Sequence, residues 1–136
     1  MGLKLNEDTG QISSNGAFSG GLATSKITAG GFITLEENTT GYGNTAIGEH
    51  ALEENTAGYR NVAIGIGALD ENTTGFRNTA SGAFALSDNT SGENNSAHGF
   101  ASLYNNTTGS FNSAFGRGAL GTNTIGSNNT AIGKWA

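Results

Sequence analysis

The side chains able to do chemistry in this chain stand at regular intervals. Acids come as Glu36-Glu37, Glu53-Glu54, Asp70-Glu71 and then Asp88, each group 17 residues from the last or close to it. Paired carboxylates serve general acid–base catalysis or bind Ca²⁺. A catalytic pair has no need of repetition, so the stripe reads first as a solvated turn that keeps the protein soluble, with Ca²⁺ binding as the alternative. The two histidines, His50 and His98, show no His-x-His spacing and fall at different points of the interval. They give no ground for a zinc or iron site within one chain.

Aromatic residues follow the same spacing. Tyr42, Tyr59 and Phe76 recur together, with Arg60 and Arg77 beside the last two. If successive copies stack at about 4.8 Å, these rings form a ladder. Such a ladder suits contact with a glycan or a receptor protein, with Arg adding polar contacts. It suits packing against a neighbouring subunit equally well. Phe100, Tyr104, Phe111 and Phe115 come next, and Trp135 stands near the C-terminal end. Lone serines have no His–acid pair, and no Gly-Lys-Ser/Thr phosphate loop occurs. Triplets such as Asn38-Thr39-Thr40 and Asn72-Thr73-Thr74 fit glycosylation acceptors but arise automatically from the repetition. The expectation is no enzyme, no cofactor and no resident metal.

The element that positions these residues is a repeat. From Asn44 the sequence restarts every 17 residues, at Asn61, Asn78, Asn95, Asn112 and Asn129, and a weaker copy begins at Ile27. Residues 27–136 hold six full copies and eight residues more. With Asn44 as first position, the consensus is Asn-Thr-Ala-Ile-Gly-x-x-Ala-Leu-x-x-Asn-Thr-Thr-Gly-x-x. Ala at the third position, Gly at the fifth and fifteenth, Leu at the ninth, Asn at the twelfth and Thr at the thirteenth never vary.

Such a unit is too short for helical repeats, which take roughly 33 residues or more. Gly, Asn and β-branched Thr oppose helix as well. Asn-Thr-Ala-Ile-Gly reads as a short strand, Ala-Leu-x-x as the start of a second, and Asn-Thr-Thr-Gly as a turn. Each copy then forms one coil, and the class is all-β: a parallel β-roll or β-helix of order 30 Å in length, at about 4.8 Å per coil. Asn44, Asn61, Asn78, Asn95, Asn112 and Asn129 would bond amide to amide as one ladder, and Asn38 to Asn123 as another. Leu35, Leu52, Leu69, Leu86, Leu103 and Leu120 would be the thin core. Which strand face is the core stays open, because the second and fourth positions compete with the third and fifth.

Residues 1–26 fall outside the repeat; Leu3-Lys4-Leu5 and Gln11-Ile12-Ser13 read as a hairpin, and Gly16 to Gly31 as a connector or irregular cap. The last copy stops at Ala136, one residue before its Leu, which suggests further protein after it. Gly, Asn, Thr and Ser supply half of the 136 residues, and Pro and Cys are absent. Only 12% are charged, which argues against a solvated coil. A net charge of −5 leaves no basic patch for nucleic acid. The opening residues contain no apolar run for a signal peptide or membrane insertion. A role outside a cell would then require release by lysis, assembly into a particle, or membership of a longer secreted chain.

The repeated Asn-Thr-Ala-Ile-Gly-x-x-Ala-Leu-x-x-Asn-Thr-Thr-Gly resembles the head repeat of trimeric autotransporter adhesins of the YadA type, and Asn61-Val62-Ala63-Ile64-Gly65 comes nearest to that family's core. The 17-residue form is more similar to repeats in bacteriophage tail fibres. The resemblance covers residues 27–136 and implies a left-handed parallel β-roll or related β-helix, built as a homotrimer, and a role in attachment, on a virion or a cell surface. If the fourth-position column faces a threefold axis, Ser81 and His98 interrupt its apolar run of Ile47, Ile64, Phe115 and Ile132. Three His98 side chains would there bracket water or an anion; local hydrogen bonding of His98 is the plainer alternative. The rival reading is a monomeric solenoid binding ice or polysaccharide through the Thr39 to Thr124 column.

Overall fold

The computed structural model describes residues 28–136 continuously, together with two short strands ahead of them. Those two, β1 (Lys4–Asn6) and β2 (Gln11–Ser13), pair antiparallel with Leu5 opposite Ile12. The turn expected between them and residues 14–27 of the expected connector lie outside the described residues, while its last part, Thr28–Gly30, is already a strand.

From residue 28 the chain is a parallel β-solenoid. Its seven strands are β3 (Thr28–Gly30), β4 (Thr45–Ile47), β5 (Val62–Ile64), β6 (Thr79–Ser81), β7 (Ser96–His98), β8 (Ser113–Phe115) and β9 (Thr130–Ile132), and they pair in sequence order. The register advances by one repeat each time, so Ala46 faces Ala63 and Ala63 faces Ala80. The third-position Ala is fully buried from Ala46 to Ala114, and the fourth-position side chain points out. A side chain as small as that of Ala lets the opposite wall of so narrow a coil approach.

Each coil has one strand, not two. The expected strand at Ala-Leu is a run of turns, because the ninth-position Leu takes left-handed backbone angles in all six copies, with φ between 51° and 54°. That conformation costs an L-residue about 1–2 kcal/mol. Burying a Leu side chain contributes about 1.5–3 kcal/mol, and Leu52, Leu69, Leu86 and Leu103 are completely buried. Burial exceeds strain, so the column keeps Leu where Gly would be relaxed but empty.

Hydrogen bonds link the coils on every side. Thr56 O accepts the N–H groups of Thr39 (3.0 Å), Thr40 (3.0 Å) and Gly41 (3.3 Å), and the Thr39 hydroxyl as well (2.8 Å). The same convergence recurs along the thirteenth-position column. At the twelfth position the buried amides form a ladder: Asn55 Nδ2 donates to Asn38 Oδ1 at 2.7 Å, and Asn72 to Asn55 at 2.9 Å, continuing to Asn123. The first-position column differs from the amide-to-amide expectation. Asn44 Oδ1 accepts the backbone N–H of Asn61 at 2.9 Å, while Asn61 Nδ2 reaches Gly75 O at 2.8 Å. These amides tie side chain to backbone, and only Asn129 Nδ2 donates to another amide, Asn112.

The fifteenth-position Gly is required by closeness. A Cβ on Gly75 would overlap Asn72 Oδ1 and lie 2.6 Å from Gly92 O. The frame therefore satisfies its buried Asn amides internally, and most variable positions face outward, the eighth, with Thr34, Ala51 and Ser102, being the buried exception.

Candidate functional site

Invariant positions build the frame, so candidate chemistry sits in the variable columns. Tyr42, Tyr59 and Phe76 stack face to face, with centroids 5.0 and 4.7 Å apart and planes within 7°. Arg77 lies over the Phe76 ring at 5.7 Å, and the Arg60 stem passes where a Cβ on Gly43 would stand. The ring faces are thus turned on one another, and the edges are what solvent or a partner meets. A glycan platform needs open faces, so this geometry suits packing or edge contact better. Further along, the same column becomes Glu93, Ser110 and Ser127, where hydroxyls accept backbone N–H groups at 3.1 and 2.9 Å.

The fourth-position column forms an outward apolar stripe. Ile47, Ile64 and Phe115 are 46%, 43% and 42% exposed. Phe32, Ile66 and Phe100, two positions further along their coils, are more exposed still. Ser81 and His98 pair in register within this stripe. His98 stacks on Phe115 with centroids 4.8 Å apart, so one face of its ring is covered by the neighbouring coil. The other expected aromatic group disperses over several columns: Phe100 meets Phe84 edge-on at 6.0 Å, and Arg117 lies between Phe100 and Trp135 at 5.4 and 5.6 Å.

A groove of about 440 Å³ runs beside Tyr104, Asn105, Thr122 and Trp135, opened by Ala101, Gly118 and Gly121. The Thr39 to Thr107 hydroxyls all donate to backbone carbonyls of the next coil. A flat file of free donors for ice is therefore not what this column presents.

The chain matches no protein-family model, no curated protein and no solved structure.

The corner between the seventh and tenth positions brings together residues that sequence spacing left apart. His50 and Glu53 belong to one coil and Asp70 to the next, and a ligand atom of each lies within 4.8 Å of the others. His50 Nδ1 is hydrogen-bonded to Glu53, and its Nε2 lies 3.6 Å from Glu49 Oε1. The Glu53 hydrogen bond is the main reason the His50 pKa is raised. Burial pushes Asp70 up to about 6, and the Glu53 carboxylate adds to the rise. Glu71 and Asp88 are raised as well, chiefly by burial. The acidic stripe is consequently not a uniformly solvated turn: Glu36, Glu37 and Glu54 are exposed, but Glu53, Asp70 and Asp88 are half-buried. The clue was the three-residue step from His50 to Glu53 followed by the one-coil step to Asp70. It becomes legible only once the corner's geometry is known.

Proposed function

We propose that the chain is a structural and adhesive segment of a trimeric fibre, a phage tail fibre or surface adhesin head, working as a rigid spacer at a virion or cell surface. The observation that carries this reading is the set of exposed apolar side chains at the fourth and sixth positions, Ile47, Ile64 and Phe115 with Ile66 and Phe100, on a rod whose buried Asn amides are bonded within the chain. Exposed apolar side chains aligned along one side of a small protein mark a contact surface. Alanine and glycine also leave the coil interior thin, and neighbouring copies would cover what the coil itself leaves open. The repeat's resemblance to fibre and adhesin heads points the same way. In this arrangement Ser81 and His98 lie in the seam between copies. The ladder of Tyr42, Tyr59 and Phe76, flanked by Arg60 and Arg77, either packs on the adjacent copy or meets a receptor or glycan through its edges. Three copies of each column would add avidity to weak contacts. No catalytic step belongs to this reading.

Light scattering after size exclusion tests it. The expected mass is three times the 13.7 kDa chain, falling toward one chain when Ile64→Asp and Ile66→Asp place charges in the stripe. A wild-type mass of one chain overturns the trimer.

A further inference from the structure

We propose that His50, Glu53 and Asp70 form a binding site for a divalent transition-metal ion, zinc foremost. The donor atoms of the three side chains already lie within 4.8 Å of one another, so a metal can bind without rearrangement of the coil. One imidazole and two carboxylates bring two negative charges to a doubly charged cation. An imidazole nitrogen suits zinc and its transition-metal neighbours such as nickel and copper, whereas manganese and calcium favour oxygen ligands, calcium taking six to eight.

The frame holds the imidazole in place. His50 stands at φ 58°, with its backbone N–H bonded to Phe32 O at 3.1 Å. Its Nδ1 faces the cluster, and its Nε2 faces Glu49 Oε1 at 3.6 Å. At 3.6 Å Glu49 is not hydrogen-bonded to Nε2, but a small rotation would make it the outer carboxylate that fixes the tautomer of a metal-bound histidine and raises its basicity. Across the cluster the solenoid stacks Glu53 on Asp70, two carboxylates in neighbouring coils that repel each other when both are ionised. A metal ion between them would relieve that repulsion. Gly67, next in the His50 column, has no side chain to fill the corner, and the Phe84 ring lies over it. All three ligands come from one chain, so the site stands or falls independently of the trimer.

The test is calorimetric titration of the whole protein, freed of metal with a chelator, with Zn²⁺, Mn²⁺ and Ca²⁺ separately. Saturation at one Zn²⁺ per chain, with Ca²⁺ much weaker, is the expected result. His50→Gln and Asp70→Asn should each weaken Zn²⁺ binding by more than about tenfold, the least that loss of even an outer partner costs. Glu54→Gln, a neighbouring acid outside the cluster, should change it by less than about fivefold, the worth of one exposed charge. Circular dichroism shows whether each variant keeps the solenoid, and Zn²⁺ should raise the melting temperature of wild type but not of His50→Gln. No saturable Zn²⁺ binding, equal binding by His50→Gln, or a preference for Ca²⁺ overturns the assignment.

Discussion

The two halves of the solenoid share one frame and carry opposite surfaces. Residues 28–93 hold nine acids and two bases, whereas residues 94–136 hold no acid and two bases, Arg117 and Lys134. The aromatic ladder and the His50 cluster lie in the first half; the Ser110–Ser127 hydroxyl column and the Tyr104–Trp135 groove belong to the second. Beneath them the left-handed Leu, the twelfth-position amides and the register continue unchanged. Outward chemistry can change from coil to coil because backbone and invariant side chains alone hold the stack, as expected of a repeat protein stabilised by nearest-neighbour contacts.

If the frame is common to both halves, breaking it should cost the same in each. Leu69→Ala and Leu103→Ala both empty a fully buried site and should each destabilise by about 2–5 kcal/mol. Thermal or denaturant unfolding measures this. Costs that differ greatly between the two would mean that one half carries the stability.

A smaller effect should separate the halves through pH. In metal-free buffer, His50, Asp70, Glu71 and Asp88 all hold their protons more tightly in the folded chain than their ordinary values allow. A folded state that binds more protons than the unfolded one loses stability as pH rises. Asp70 contributes between its ordinary 3.8 and its folded value of about 6, and His50 contributes as pH rises from its ordinary 6.5 through its raised folded value. The melting temperature should therefore be higher at pH 5 than at pH 8, with the lower part of that window flattened in Asp70→Asn. A melting temperature that rises with pH would contradict the burial assigned to Asp70.

Much of the frame was legible in the sequence, because recurrence at a fixed interval demands one coil per copy and parallel stacking. The twelfth-position Asn column and the Asn-Thr-Thr-Gly turn follow from residue chemistry alone. The second strand at Ala-Leu was misread, since nothing in local propensity announces that Leu adopts positive φ when burial outweighs the strain. The strand face was ambiguous because Ala and Ile are both apolar; the narrowness of the coil, which suits a side chain as small as that of Ala, decided it. The candidate cluster was hidden for another reason. His50 looks isolated until the corner is folded and Asp70 arrives from the next coil.

Site-specific cross-linking tests most directly whether the fourth-position stripe is a seam between three copies. The chain has no Cys, so Ile64→Cys introduces a single thiol per copy, and a short bis-maleimide relaxes the tight spacing that a disulfide needs. Three thiols around a threefold axis permit one link and leave one copy unpaired. Denaturing electrophoresis should then show about two thirds of the protein as linked pairs and the remainder as single chains, with Thr74→Cys, exposed elsewhere on the rod, unlinked. Single chains alone from Ile64→Cys, or complete conversion to pairs, would contradict a threefold seam.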